Sequence, residues 1–524
     1  MPRIARLAAL AVLCLTGPLA GCGGGSASGG EEPASAVPRD AAVYFEATVR
    51  PEGALREDAL AAAGKVLRTP DPQARIDELV AQVLADSDGP TLDYERDVKP
   101  WLGEKVGFWL ATGGEGQEPG GVAILAATDT EAAQAAIDRA AEGSDQPFSE
   151  RPYEGIDLQV NEDGDAAGVV EDFAVLGSEA EVKRTIDTLE GEGLESDERY
   201  TDSLAGLEDE RLAHFYFDTK ALIDQALRQD PEAAEQIRQF RDVIPIDRLG
   251  PVAGAFTADG NRLAVDSVTS AEAGELFSRY GALTGTGSTP LLGELPGDAW
   301  LALGSPKLGE TAKQLYQQLA GAFGGAAIAE QLRSQLGIDL EQDVFSWIGD
   351  VAFFARGTSP DAIDGGAVIE VLDEERARTG FAKLIGVAVD RGDLQARPTT
   401  VPGAETAFEL RQAGAPAPQP VVAAFSAERV VIAYGVEAAA AALSPREKLA
   451  DGETFGEARA LLGDGIEPGF VLSMPAVVEL VAAMSAGDPD FEKARPYLDA
   501  FTVIASGGSI EDDRGRSRVA AGLR

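Results

Sequence analysis

Cysteine and histidine are nearly missing from this chain, whose 524 residues include two cysteines and one histidine. Cys14 and Cys22 both fall in the N-terminal leader, so the remainder has no thiol for a disulfide, a thiolate metal site or cysteine catalysis. The single histidine, His214, has no histidine or cysteine partner with which to build a zinc site of the usual kind. It reads as a packing or surface residue on the strand "LAHFYFD", where alternation puts His214, Tyr216 and Asp218 on one face. Basic residues are scarce too: 44 against 88 acidic ones, a formal net charge of −44. Such a field disfavours nucleic acid and bare anionic lipid as partners. Its charges are scattered, as on a solvated, self-repelling surface. Beyond the leader the longest apolar-looking stretch, "VVAAFSAERVVIAYGVEAAAAAL", is interrupted by Glu428, Arg429 and Glu437, which excludes a second membrane span. There is no G-x-S-x-G elbow, S-x-x-K pair, Walker loop or dinucleotide fingerprint. Carboxylate chemistry survives these exclusions, because two acidic side chains at the correct separation suffice for a hydrolase.

What is present begins with "MPRIARLAALAVLCLTGPLAGC": Arg3 and Arg6, an apolar core from Leu7 to Leu15, and then Leu19-Ala20-Gly21-Cys22. This is the pattern of a secretory signal ending in a lipobox, as in bacterial lipoprotein precursors. It predicts removal of residues 1–21, a lipid on Cys22, and attachment to the outer face of the cell membrane through that lipid. Residues 22–36 are rich in Gly, Ser, Ala, Pro and Glu and read as a flexible tether of at most roughly 50 Å.

The chain then repeats itself. "LDYERDVKPWLG" (92–103) is answered by "IDLEQDVFSWIG" (338–349), with Asp97, Trp101 and Gly103 matched by Asp343, Trp347 and Gly349 at one spacing. "VPRDAAVYF" (37–45) is answered by "LPGDAWLAL" (295–303), and "GGVAIL" (120–125) by "GGAVIE" (365–370). These anchors predict a first repeat over 37–280, a turn-rich linker over 281–290 and a second repeat over 291–524. Within a repeat, strand pairs alternate with helices. Thr128 with Glu131, and Ser178 with Glu181, have capping-box spacing ahead of helical periods. Asp163-Gly164 and Asp259-Gly260 mark hairpin turns, hence antiparallel pairing. The expected class is α+β: two tandem repeats, each a mainly antiparallel sheet with helices packed on one face. Val98, Trp101 and Leu102, like Val344, Trp347 and Ile348, are spaced to share one face of a short helical turn, with Gly103 and Gly349 at its exit. Each tryptophan is then a plug between sheet and helices.

A lipid-anchored chain that opens its mature domain with "VPRDAAVYFEA", carries a "W-[LI]-G" turn before a strand pair and repeats that plan resembles the bacterial family called domain of unknown function 3352. The resemblance implies an envelope location and assigns no activity or catalytic residue. One metal candidate stands apart from it: Asp86, Asp88, Gly89 and Glu95 fall at positions three, five, six and twelve of a calcium loop. Leu84 occupies the first ligand position, so the stretch reads as an acidic turn and no metal or cofactor is expected. The functional expectation is a non-catalytic envelope lipoprotein that binds or scaffolds an envelope protein or polymer. A solute-binding lipoprotein with an inter-repeat cleft and a carboxylate-dependent hydrolase are the alternatives.

Overall fold

The computed structural model describes residues 32–86, 92–111, 120–144, 146–229, 249–270, 273–276, 279, 287–323, 330, 333–390, 394–412, 419–485, 487–511 and 514–524. The chain divides into two compact units, the first ending at Ser270 and the second starting at Ala271. This boundary lies upstream of the expected linker. Residues 281–286 are outside the described residues, but Gly287 donates to the Gly304 carbonyl at 2.7 Å and Thr289 caps the short helix Pro290–Gly293, so 287–290 belong to the second unit's fold.

The first unit contains β1 Val43–Thr48, β2 Leu102–Leu110, β3 Gly121–Ala127, β4 Phe148–Tyr153, β5 Ile156–Asn161, β6 Asp165–Val170, β7 Phe173–Ser178, β8 Ala213–Phe217, β9 Val252–Asp259 and β10 Arg262–Ser270. They pair antiparallel in the order β10-β9-β8-β1-β2-β3-β7-β6-β5-β4. The second unit contains β11 Leu301–Ser305, β12 Ile348–Arg356, β13 Asp364–Val371, β14 Leu394–Thr399, β15 Thr406–Gln412, β16 Val421–Phe425, β17 Arg429–Tyr434, β18 Pro468–Ser473, β19 Phe501–Glu511 and β20 Arg514–Leu523. Its antiparallel order is β20-β19-β18-β11-β12-β13-β17-β16-β15-β14, which is the first unit's order strand for strand. Both expected hairpins are present: Asp163-Gly164 joins β5 to β6, with Gly164 at φ +82°, and β9 turns back on β10 at Asp259-Gly260.

Helices cover both faces of the sheet, not one. In the first unit, helix Thr130–Glu142 packs Ala133, Ala136 and Ile137 with Trp101, Ala47 and Ala174. Helix Glu179–Leu189 packs Val182 and Ile186 on the opposite face, with Tyr44, Ile124 and Phe173. In the second unit, helix Glu374–Asp390 packs Ala377 and Phe381 against Phe425 and Val430, while helix Val436–Leu443 lies against β13 and β17. The reason is legible in β3: "VAILAA" is a continuous apolar run, buried along nearly its whole length, and a strand bounded by helices on both sides has no polar face to present. The helix starts also differ in detail. Asp129, not Thr128, caps Thr130–Glu142 by accepting from the Ala132 amide at 2.9 Å, while Thr128 donates its hydroxyl to the Trp101 carbonyl at 3.1 Å. Ser178 does sit at the N-cap of Glu179–Leu189, yet its side chain makes no capping bond.

The folded part begins inside the expected tether. Pro33–Ala36 form a 3₁₀ turn whose Ala34 and Ala36 are fully sequestered with Tyr44 and Leu194, and the Leu194 amide donates to the Val37 carbonyl at 2.8 Å. Small side chains that offer little to bury can still enter a core where the backbone must approach closely. A Cβ on Gly193 would meet the Ser35 carbonyl oxygen at 2.1 Å.

The two matched glycines also differ from expectation. Neither Gly103 nor Gly349 has a positive φ or ends a helix; both lie within strands, β2 and β12, at register shifts against β3 and β13. A Cβ at Gly103 would meet the Ala126 carbonyl oxygen at 2.8 Å, whereas one at Gly349 would meet the Glu370 carboxylate, the end of a flexible side chain. Glycine is therefore required for close approach of a neighbouring strand at a bulge. Gly103→Ala is expected to cost about 1–2 kcal/mol and Gly349→Ala less, because backbone yields less readily than a side chain. Thermal denaturation of the two variants checks this, and equal losses would contradict it.

Candidate functional site

The repeated stretch forms the same device in both units. A single π-type turn, Tyr94–Val98, precedes Trp101, and Leu102 already opens β2, so the expected helical turn ends sooner than its spacing suggests. Val98, Trp101 and Leu102 still reach one apolar cluster. Asp93 and Asp97 close a reciprocal pair: the Asp97 amide donates to the Asp93 carbonyl at 2.7 Å, and the Asp93 amide donates to the Asp97 carboxylate at 3.0 Å. The Trp101 indole N–H donates to the Asp97 carbonyl at 2.6 Å. In the second unit, the Asp343 amide donates to the Asp339 carbonyl at 2.7 Å, the Asp339 amide to the Asp343 carboxylate at 2.7 Å, and the Trp347 indole to the Asp343 carbonyl at 2.8 Å.

The next helix neutralises each aspartate, Asp97 buried and Asp343 partly so. Arg139 and Lys383, each the tenth residue of its helix, bind Asp97 and Asp343. Arg96 adds a two-pronged contact to Asp97 at 3.0 and 2.7 Å. Both aspartates thus work as acceptors that tie a turn to a helix, and the tryptophans fill the angle between them. The Asp339 carboxyl is held below its usual range, first by the Gln342 amide and then by Arg333.

Asp88 and the Asp86 side chain lie outside the described residues, and Glu95 is ion-paired to Lys99 at 2.8 Å. Among the described residues no three His, Cys, Asp or Glu side chains group as a metal site. Cys22 also lies outside the described residues.

A second constellation was not signalled by any motif. On one face of the first unit's central strands, Tyr44 and Glu46 of β1 stand opposite Tyr216 and His214 of β8. The Tyr44 hydroxyl donates to Glu46 at 2.6 Å, the Tyr200 hydroxyl is 2.7 Å from His214 Nε2, and Glu46 lies 3.9 Å from His214 Nδ1. Lys105 reaches Glu46 at 3.4 Å and also binds Glu32, the residue before the N-terminal turn. Period-two alternation in "VYFEA" puts Tyr44 and Glu46 on the face that meets His214, which was the available clue. Tyr200, on helix Glu198–Leu204, is joined only by tertiary packing. The second unit has Ala302 opposite Val471 at the matching positions, with Gly304 where the first has Glu46.

Burial, with Arg211 and Lys105 nearby, lowers the His214 pKa to about 3. Burial and the Glu46 charge raise Tyr200 and Tyr44, and burial with Asp218 raises Tyr216 to about 12. At neutral pH the network therefore holds a neutral imidazole and protonated phenols. It joins β1 and β8 beneath the N-terminal turn. Because the folded-state pKa of His214 lies below its unfolded value of 6.5, its contribution is complete above about pH 6.5 and is lost as pH falls towards 3, by up to about 1.4 kcal/mol per pH unit. His214→Gln is expected to flatten the melting temperature between pH 6.5 and 4.5 relative to the unsubstituted chain. Parallel pH profiles would contradict the assignment.

No curated protein matches the chain. Solved structures that resemble it include three crystal forms of TP0453. Form III has 13% identity and a TM-score of 0.24, covering 46% of this chain and 79% of that one. Form I has 10% identity and a TM-score of 0.26, covering 46% and 78%, and form IV has 15% and 0.25, covering 48% and 85%. Likeness at this level says nothing of function. The sequence itself is more informative: a family model spans residues 5–464, and the chain belongs to the family described as Protein of unknown function (DUF3352).

Proposed function

We propose that this chain is a lipid-anchored extracytoplasmic protein, built by duplication of one α+β unit, that binds or scaffolds another cell-envelope component without catalysing a reaction. The observation that carries the anchoring is the order of segments at its N-terminus. A charged and apolar leader ends at Leu19-Ala20-Gly21-Cys22, a polar spacer follows, and among the described residues burial begins at Pro33. The spacer, residues 23–32, reaches roughly 30 Å when extended, enough to hold a folded unit clear of the headgroups. Duplication is supported by the shared strand order and by the same aspartate pair, tryptophan and helix-borne cation in both units. A binding role without chemistry is supported by the use to which the duplicated polar residues are put: they are occupied with one another and with backbone. Cys22→Ala tests the anchor. The variant is expected in the soluble fraction after cell lysis, and the unsubstituted chain in the membrane fraction with an acylated N-terminal cysteine by mass spectrometry. Membrane retention of the variant, or an unmodified mature N-terminus, would sink the proposal.

A further inference from the structure

One corner of the first unit holds more polar groups than its fold uses. Helix Pro72–Asp86 lies there against the π-type turn. Lys99 binds Asp77 and Glu95, each at 2.8 Å, Gln73 donates to Asp77 at 3.0 Å, and Arg50 donates to the Lys99 carbonyl. The Lys99 ammonium stands 5.9 Å from the centre of the Tyr94 ring, and Arg50 is near enough to Tyr94 to oppose the rise in its pKa that burial causes. Within this connected group three atoms are sealed from solvent without a hydrogen-bond partner: Arg50 Nε, Gln73 Oε1 and the Tyr94 hydroxyl. Tyr94 itself is only 4% exposed. Leaving such groups unmet is unfavourable, and native proteins meet them with protein atoms or with ordered water.

The second unit shows that the fold does not need polarity here. Three residues before Asp343, where the first unit has Tyr94, it has Leu340; two residues after, where the first has Lys99, it has Phe345, in ring contact with Tyr316 at 5.9 Å. An apolar filling is available to this architecture and was not used in the first unit.

We propose that the corner between Arg50, Gln73 and Tyr94 is a binding site for buried water. Water matches the three groups in sign: it accepts from the Arg50 Nε–H, donates to Gln73 Oε1 and can do either with the Tyr94 hydroxyl. A cation would be repelled by Arg50 and Lys99, and an anion would leave the Gln73 oxygen unmet. Arg50 and Gln73 are partly exposed, long side chains, able to shift by the fraction of an ångström that admits the molecule. The matching corner of the second unit, with Leu340 and Phe345, offers no such set of groups and is expected to hold no ordered water.

A crystal structure of the full mature chain tests this. The expected result is ordered density about 2.7–3.2 Å from at least two of the three atoms, and none beside Leu340 and Phe345. Direct pairing of the three groups, or dry packing around them, would overturn it. Magnetic relaxation dispersion of water oxygen gives a second readout on the Tyr94→Leu, Lys99→Phe double variant. About one long-lived water per molecule should be lost relative to the unsubstituted chain, and an unchanged signal from a folded variant would also overturn the site.

Discussion

Trp101→Ala is expected to destabilise the first unit by about 3–5 kcal/mol, and Trp347→Ala the second by a similar amount. Each indole is nearly inaccessible, at 6% and 2% exposure, and lies between sheet and helix side chains. Truncation removes that packing and leaves a void that the surrounding helix and strands close only in part. It also deprives the Asp97 or Asp343 carbonyl of its indole donor. The backbone on the other side is fixed as well, since the Trp101 carbonyl accepts from the Thr128 amide and the Trp347 carbonyl from the Leu372 amide. A chain of two units can unfold in more than one step. Denaturant titration followed by circular dichroism should therefore show one transition moved and the other in place. A loss under 1 kcal/mol at either tryptophan would contradict a packing role.

The aspartates should be unequal. Asp97→Ala is expected to cost about 2–3 kcal/mol, because a carboxylate only 2% exposed loses two arginines and the Asp93 amide at once. Asp343→Ala should cost about 1–2 kcal/mol: its side chain is 14% exposed and meets a single cation, Lys383. In both cases the stranded cation is partly solvated, which keeps the loss below that of a sealed ion pair. Asp97→Asn retains the shape and an acceptor and should recover part of the loss. Equal losses for the two alanine variants would contradict this ranking, and negligible losses for both would show that the carboxylates carry little of the tie between turn and helix.

Much of the scaffold was readable from residue pattern. The matched "D-V-x-x-W-[LI]-G" stretches, the Asp-Gly hairpins and the alternating strands led to antiparallel α+β structure, because turn chemistry and side-chain period are local properties. The role of Gly103 was not readable: a glycine after a short helical turn and a glycine at a strand bulge look alike in one dimension. Burial of Pro33–Ala36 was hidden for a similar reason, since small residues carry no hydrophobic signal yet fit where backbones touch. Helices on both faces were not read, although "VAILAA" lacks the alternation of a strand covered on one side only. The Tyr44–Glu46–His214–Tyr200 network is assembled by pairing of β1 with β8 and by a helix that joins neither in sequence, so only His214 drew notice from composition.

The repeated motif is a packing device used separately in each unit, and the double-mutant cycle of Trp101→Ala with Trp347→Ala tests this most directly. Independent cores require the two losses to add, with an interaction energy within about 0.5 kcal/mol of zero. A coupling above about 1 kcal/mol would mean that the two tryptophans serve one shared site, and the reading of two separately packed units would fall.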